Sequence, residues 1–110
     1  MSPTTTPTWT LLTNHAHVLV CLHRDPEVRI RDIADRVGIT ERAVQRILTD
    51  LEEAGFVVSR REGRRNRYEL HLDRPMRHPL ESHHAVASLI ASVGAGPEAP
   101  RPSTGPGERR

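Results

Sequence analysis

Five of the eight residues from 60 to 67 are arginines: Arg60, Arg61, Arg64, Arg65 and Arg67. A guanidinium is a planar fork of donors that matches a phosphate bidentately and keeps its charge at any physiological pH. An earlier group, Thr40, Glu41, Arg42, Gln45, Arg46 and Thr49, is spaced to share one broad side of a helix. Arg can bond guanine O6 and N7, Gln can bond adenine N6 and N7, and Glu can accept from cytosine N4. Threonine hydroxyls suit phosphate oxygens. Together these residue types fit a polyanion that also offers base edges. Glu41 has a second role open to it, because a carboxylate in the first turn of a helix favours the helix dipole. A polar helix face and a charged turn are also what plain solvated surface looks like, so the elements around them must decide.

Other residues raise other chemistry. His78, Glu81, His83 and His84 cluster near the C-terminal part. Neighbours on a helix point about 100° apart, so His83 and His84 cannot easily share a metal, whereas Glu81 and His84 can. Tetrahedral zinc would need further ligands from a partner chain, so no metal or cofactor is assigned. Cys21 is flanked by apolar Val18, Leu19, Val20 and Leu22, where a thiol behaves as a small inert hydrophobe rather than a sensor. His15 and His17 suit a surface or an interface. No nucleophile elbow, phosphate loop or metalloprotease motif is present, so the chain does not read as an enzyme. Asp50, Glu52 and Glu53 read as a solvated acidic face.

The chain has 110 residues, 35% hydrophobic and only 3% aromatic, enough for one small domain with a thin aliphatic core. Its 16 basic residues are all arginine, which suits a nucleic-acid surface and equally a GC-rich genome. The formal charge is +2 and the isoelectric point about 9.5. One cysteine excludes an internal disulfide framework and a cysteine-based zinc site. With no basic-then-apolar leader and no long apolar run, the expected location is the cytoplasm, on the nucleoid.

The elements follow from periodicity and punctuation. Residues 1–9 and 94–110 are expected to be disordered tails, the latter rich in Pro and Gly, around a domain at 10–93. A first helix is expected at about Asn14–Arg24, capped by Thr13 or Asn14 and ended by Asp25-Pro26. Val28 and Ile30 alternate with Arg29, suggesting a short strand or extended bridge that pairs with something later. Ile33, Ala34 and Val37 form a short helix stopped by Gly38. Thr40 then caps a helix from Glu41 to Ala54, with Val44, Ile47, Leu48 and Leu51 on its buried face. A strand follows, with Phe56 and Val58 on one face. "GRRN" makes a turn in which Gly63 and Asn66 tolerate positive φ. "RYELHL" returns, and a last helix is expected at about Leu80–Val93. The class is mainly α with a small β-hairpin (α+β), in the order of a winged helix-turn-helix, whose second helix enters the major groove.

The stretch "IRDIADRVGITERAVQRILTDLEEAGFVVSRREGRRNRYEL" resembles winged-helix regulators of the MarR and ArsR type, in particular short single-domain ones common in high-GC bacteria. The resemblance covers about residues 14–72; the long flanking helices of full-length MarR proteins are not apparent. It implies a recognition helix in the major groove, carried by Thr40, Arg42, Gln45 and Arg46. It also implies a wing tip on minor groove or phosphate, carried by Arg64, Arg65 and Asn66.

The expected partner is therefore double-stranded DNA, bound in a sequence-specific way for transcriptional regulation, repression more than activation. A homodimer is expected, matching palindromic half-sites. Its interface would use Leu12, Val18 and Cys21 with Val86, Leu89, Ile90 and Val93. Two alternatives stay open at this point: a winged helix that docks proteins, and a non-specific architectural DNA binder. No effector is indicated.

Overall fold

A computed structural model describes residues 8–94. The expectation of disordered tails falls mostly on residues outside that range. Four helices and one hairpin follow in order: α1 (Asn14–Arg24), α2 (Ile30–Val37), α3 (Glu41–Glu53), β1 (Val57–Glu62), β2 (Arg65–Leu70) and α4 (Val86–Val93). This is the α+β winged helix-turn-helix expected from the sequence. No helix among the described residues is long and apolar enough to cross a membrane.

Three of the four helices begin where their first amides find acceptors from outside the helix. Thr13 Oγ1 accepts from Ala16 N at 3.4 Å to start α1, and Thr40 Oγ1 accepts from Ala43 N at 3.0 Å to start α3. Between α2 and α3 the chain reverses at Gly38, whose φ of 87° no side chain adopts cheaply. Gly38 N and Ile39 N both donate to Ala34 O, at 2.8 and 3.1 Å, closing the end of α2. α4 has no side-chain cap. Its first amides, Val86 N and Ala87 N, donate instead to Arg74 O and Leu72 O in the chain that leaves the hairpin. Those carbonyls satisfy groups that a helix start otherwise leaves orphaned.

The core is one apolar cluster, mostly aliphatic. Val18 and Leu22 of α1, Ile33 of α2, Val44, Ile47, Leu48 and Leu51 of α3, Phe56, Val57, Tyr68, and Val86 and Ile90 of α4 all belong to it. β1 packs on α3 and β2 on α1, so the hairpin is seated against the helices it follows.

Three local expectations are corrected. Of the two readings for the segment around Val28, the extended bridge holds and the strand does not: Ile30 already opens α2, and Tyr68 N donates to Pro26 O at 2.9 Å, the one backbone link from this segment to the hairpin edge among the described residues. The hairpin phase differs, since Val57 is 1% exposed and Val58 37%, with Phe56 buried just before the strand. Finally, the last helix starts at Val86 rather than Leu80. Residues 79–84 form turns, with Glu81 N bonding His78 O and His84 N bonding Glu81 O, and Leu80 faces solvent at 80% exposure.

Candidate nucleic-acid interface

The buried face of α3 determines what the other face presents. Val44, Ile47, Leu48 and Leu51 are buried, which leaves Glu41, Arg42, Gln45, Arg46 and Thr49 exposed. Arg42 and Arg46 have no hydrogen-bond or ion-pair partner among the described residues. Thr40 uses an oxygen lone pair for its cap, so its hydroxyl proton is free to donate outward. Thr49 is turned the other way: its Oγ1 donates to Gln45 O at 3.1 Å. Glu41 occupies the first turn, where its charge favours the helix dipole. Asp50 is not simply solvated, because its Oδ2 lies 2.9 Å from His15 Nε2 and joins α3 to α1.

The hairpin sorts its arginines by register. Glu62 pairs with Arg65, so the loop is Gly63-Arg64 alone. Gly63 has φ 65° and among the described residues no non-glycine, Arg64 included, has positive φ, which makes this a two-residue type II′ turn. Asn66 lies in β2, not in the turn as expected. Cross-strand partners share a face. Val57, Ser59 and Arg61 therefore lie with Leu70, Tyr68 and Asn66 on the core side, and Val58, Arg60 and Glu62 with Glu69, Arg67 and Arg65 on the outer side.

On the outer side Arg60 stands directly opposite Arg67. Like charges in that position are unfavourable unless each is answered. Arg60 Nε donates to Glu69 Oε1 at 2.9 Å, and Arg67 Nη1 donates to Glu27 Oε2 at 2.6 Å. Arg65 Nη2 donates to the Glu27 carbonyl at 3.2 Å. His71 Nε2 continues the row 3.7 Å from Glu69 Oε2, too far for a hydrogen bond. Arg61 folds over the turn, its Nε donating to Gly63 O at 3.0 Å. Arg64, at the tip, has no partner among the described residues. The positive charge is thus answered at the root of the hairpin and open at its end.

Tyr68 anchors this arrangement. Its ring is buried, and that burial pushes its hydroxyl above the ordinary value. A hydrogen bond with Asn66 pulls it back, and the Glu52 carboxylate adds to the rise. A groove of about 360 Å³ separates the hairpin from the start of α2, lined by Glu27, Val28, Arg29, Ile30, Arg64, Arg65, Asn66 and Tyr68. Sequence reasoning missed Glu27 and Arg29. No local pattern marks them, since Glu27 meets its arginines about forty positions downstream.

The residues expected at a dimer interface divide. Val18, Cys21, Val86 and Ile90 are buried in the chain's own core, while Leu12, Leu89 and Val93 remain partly exposed. Burial pushes the Cys21 thiol up, with Arg36 and then Arg24 pulling it down. No three His, Cys, Asp or Glu side chains converge on a metal-sized site among the described residues. His84 lies in the turns before α4, where its N donates to Glu81 O at 2.9 Å, rather than on the last helix as expected.

A model of the MarR family matches residues 12–66. Among solved structures, the chain is similar to MepR, a transcription regulator of the Staphylococcus aureus multidrug efflux pump MepA. The two share 24% identity over 53% of this chain and 45% of MepR, with a TM-score of 0.46. It is also similar to the PcaV transcriptional regulator of Streptomyces coelicolor, solved with its natural ligand. That match has 22% identity over 76% of this chain and 58% of PcaV, with a TM-score of 0.49. The chain therefore spans about half the length of these two proteins. No curated protein matches it at a significant level.

Proposed function

Since the chain belongs to the MarR family, we propose that it is a sequence-specific double-stranded DNA-binding regulator of transcription, acting more as a repressor than as an activator. α3 enters the major groove, where Arg42, Gln45 and Arg46 meet base edges and the Thr40 hydroxyl meets a phosphate, while Thr49 stays bonded to Gln45 O. Glu41 serves the start of the helix. The wing tip, Gly63 with Arg64, reaches the minor groove or its phosphates, with Arg65 and Asn66 beside it. Arg60, Arg61 and Arg67 contribute to the wing's field more than to direct contact, because each is bonded within the protein.

One observation carries this reading. Arg42, Arg46 and Arg64 are exposed and unpartnered among the described residues, whereas the arginines between 60 and 67 that lie off the tip are tied. Unpaired guanidinium groups on a helix face and a hairpin tip are what a duplex would complete.

The protein binds as a homodimer in this reading, through the partly exposed Leu12, Leu89 and Val93 of α1's approach and α4. Two copies then present two α3 helices to half-sites about one helical turn apart. Selection of bound fragments from random duplex DNA tests the proposal. Enrichment of a palindrome is expected. Uniform recovery of all sequences would leave a non-specific architectural binder, and no recovery would favour a protein-docking module.

A further inference from the structure

Resting on the DNA-binding reading above, we propose that Glu27 is an affinity-limiting positioning residue: its carboxylate holds the Arg67 guanidinium off the phosphate backbone. Glu27 lies between α1 and α2, outside both the recognition helix and the wing. Its backbone is fixed, since Glu27 N donates to Asp25 Oδ1 at 3.0 Å and the preceding Pro26 O accepts from Tyr68 N at 2.9 Å. That places its carboxylate at the free edge of β2, 2.6 Å from Arg67 Nη1.

Two features separate charge from scaffolding at this contact. First, the wing is held to the 26–28 segment without the carboxylate. The Tyr68–Pro26 bond is backbone to backbone, the Arg65 bond goes to the Glu27 carbonyl, and Tyr68 is buried. Glu27's side chain therefore adds charge rather than anchorage. Second, the outer face of the hairpin balances. Arg60, Arg65 and Arg67 stand against Glu62, Glu69 and Glu27, leaving Arg64 as the open cation at the tip. A phosphate that recruits Arg67 must compete with a carboxylate that holds it at 2.6 Å and itself repels the duplex. Phosphate contacts carry affinity without sequence information, so Glu27 restrains the indiscriminate part of the wing's grip.

The test uses the full chain and a random-sequence duplex, with binding followed by fluorescence anisotropy between about 50 and 200 mM salt. Glu27→Gln should tighten binding roughly threefold to tenfold at the middle of that range and steepen the salt slope by about 0.9, one phosphate's worth. Arg67→Gln alone should leave the slope unchanged, because Arg67 is parked. In the Glu27→Gln background it should remove the gain. Thermal unfolding of Glu27→Gln should remain cooperative and fall only slightly, because Arg67 then faces Arg60 unanswered while the Tyr68–Pro26 and Arg65–Glu27 backbone bonds stay in place. Unchanged or weaker binding by Glu27→Gln overturns the proposal, as does a slope flattened by about 0.9 in Arg67→Gln alone. If the unaltered protein binds no duplex even at the lowest salt, it is the DNA-binding reading that fails, and this inference falls with it.

Discussion

Replacing Thr40 by Asp should separate folding from DNA binding. Thr40 caps α3 through a 3.0 Å bond from Ala43 N to its Oγ1. Asp is as good a cap as Thr or better, and its charge favours the start of the helix. Thr40→Asp should therefore match or slightly exceed the unaltered protein in stability. Thr40→Ala, which has no acceptor, should lose about 1 kcal/mol. Duplex binding should follow a different order. If the Thr40 hydroxyl faces a phosphate, Thr40→Asp puts two negative charges about 4 Å apart. At effective dielectric constants between water and a protein surface, that repulsion is about 1–4 kcal/mol, or roughly fivefold to a thousandfold in affinity. Thr40→Ala should lose the charge-assisted hydrogen bond to the phosphate, about 1.5–3 kcal/mol, which Thr40→Asp loses too, but it adds no repulsion and so binds more tightly than Thr40→Asp. Urea denaturation and anisotropy with the selected duplex measure the two quantities on the same samples. A Thr40→Asp protein that is as stable as the parent and binds DNA as tightly would refute the placement of α3's N-terminus against the backbone.

Three further outcomes are expected. Arg64→Ala should weaken binding to every duplex and flatten the salt slope by about 0.9, read by the same titration. Arg42→Ala or Gln45→Ala should cost about 1–3 kcal/mol on the preferred site and relax the preference at one base pair, read by repeating the fragment selection with each variant. Cys21 makes a pH prediction. Its thiol is raised above the ordinary 9.0 by burial, so the unfolded chain loses that proton first as pH rises. Stability should be intact below about pH 9 and decline above it, and Cys21→Ala should blunt the first part of that decline in urea midpoints.

Local chemistry made much of this fold legible. α1 has the bounds expected from Thr13 before it and Asp25-Pro26 after it. Gly38 and Thr40 mark the helix-turn-helix, because a left-handed stop followed by a cap is written in adjacent residues. What failed depended on distant partners. In "FVV", three apolar residues in a row fit either alternation, and the phase is set by β2, where Tyr68 opposes Ser59 and Leu70 opposes Val57. The start of α4 is set by the carbonyls of Leu72 and Arg74, which no pattern within residues 80–86 announces. At the candidate site, counting arginines located the basic wing but could not sort it. Only the register and Glu27, far upstream, show which guanidinium groups are already engaged.

The borrowed start of α4 also sets an order of events. An uncapped helix of eight residues has no independent existence in water. Its first turn waits on carbonyls that reach position only once β2 and the chain beyond it are seated. α4 should therefore form last, and exchange at the Val86 and Ala87 amides should report completion of the whole domain rather than of a local turn. Leu89 and Val93, offered above for pairing with a second copy, lie on this late helix. A chain whose hairpin has not yet closed would have no finished surface with which to pair, so self-association would itself act as an inspection step, admitting only copies whose wing is already built.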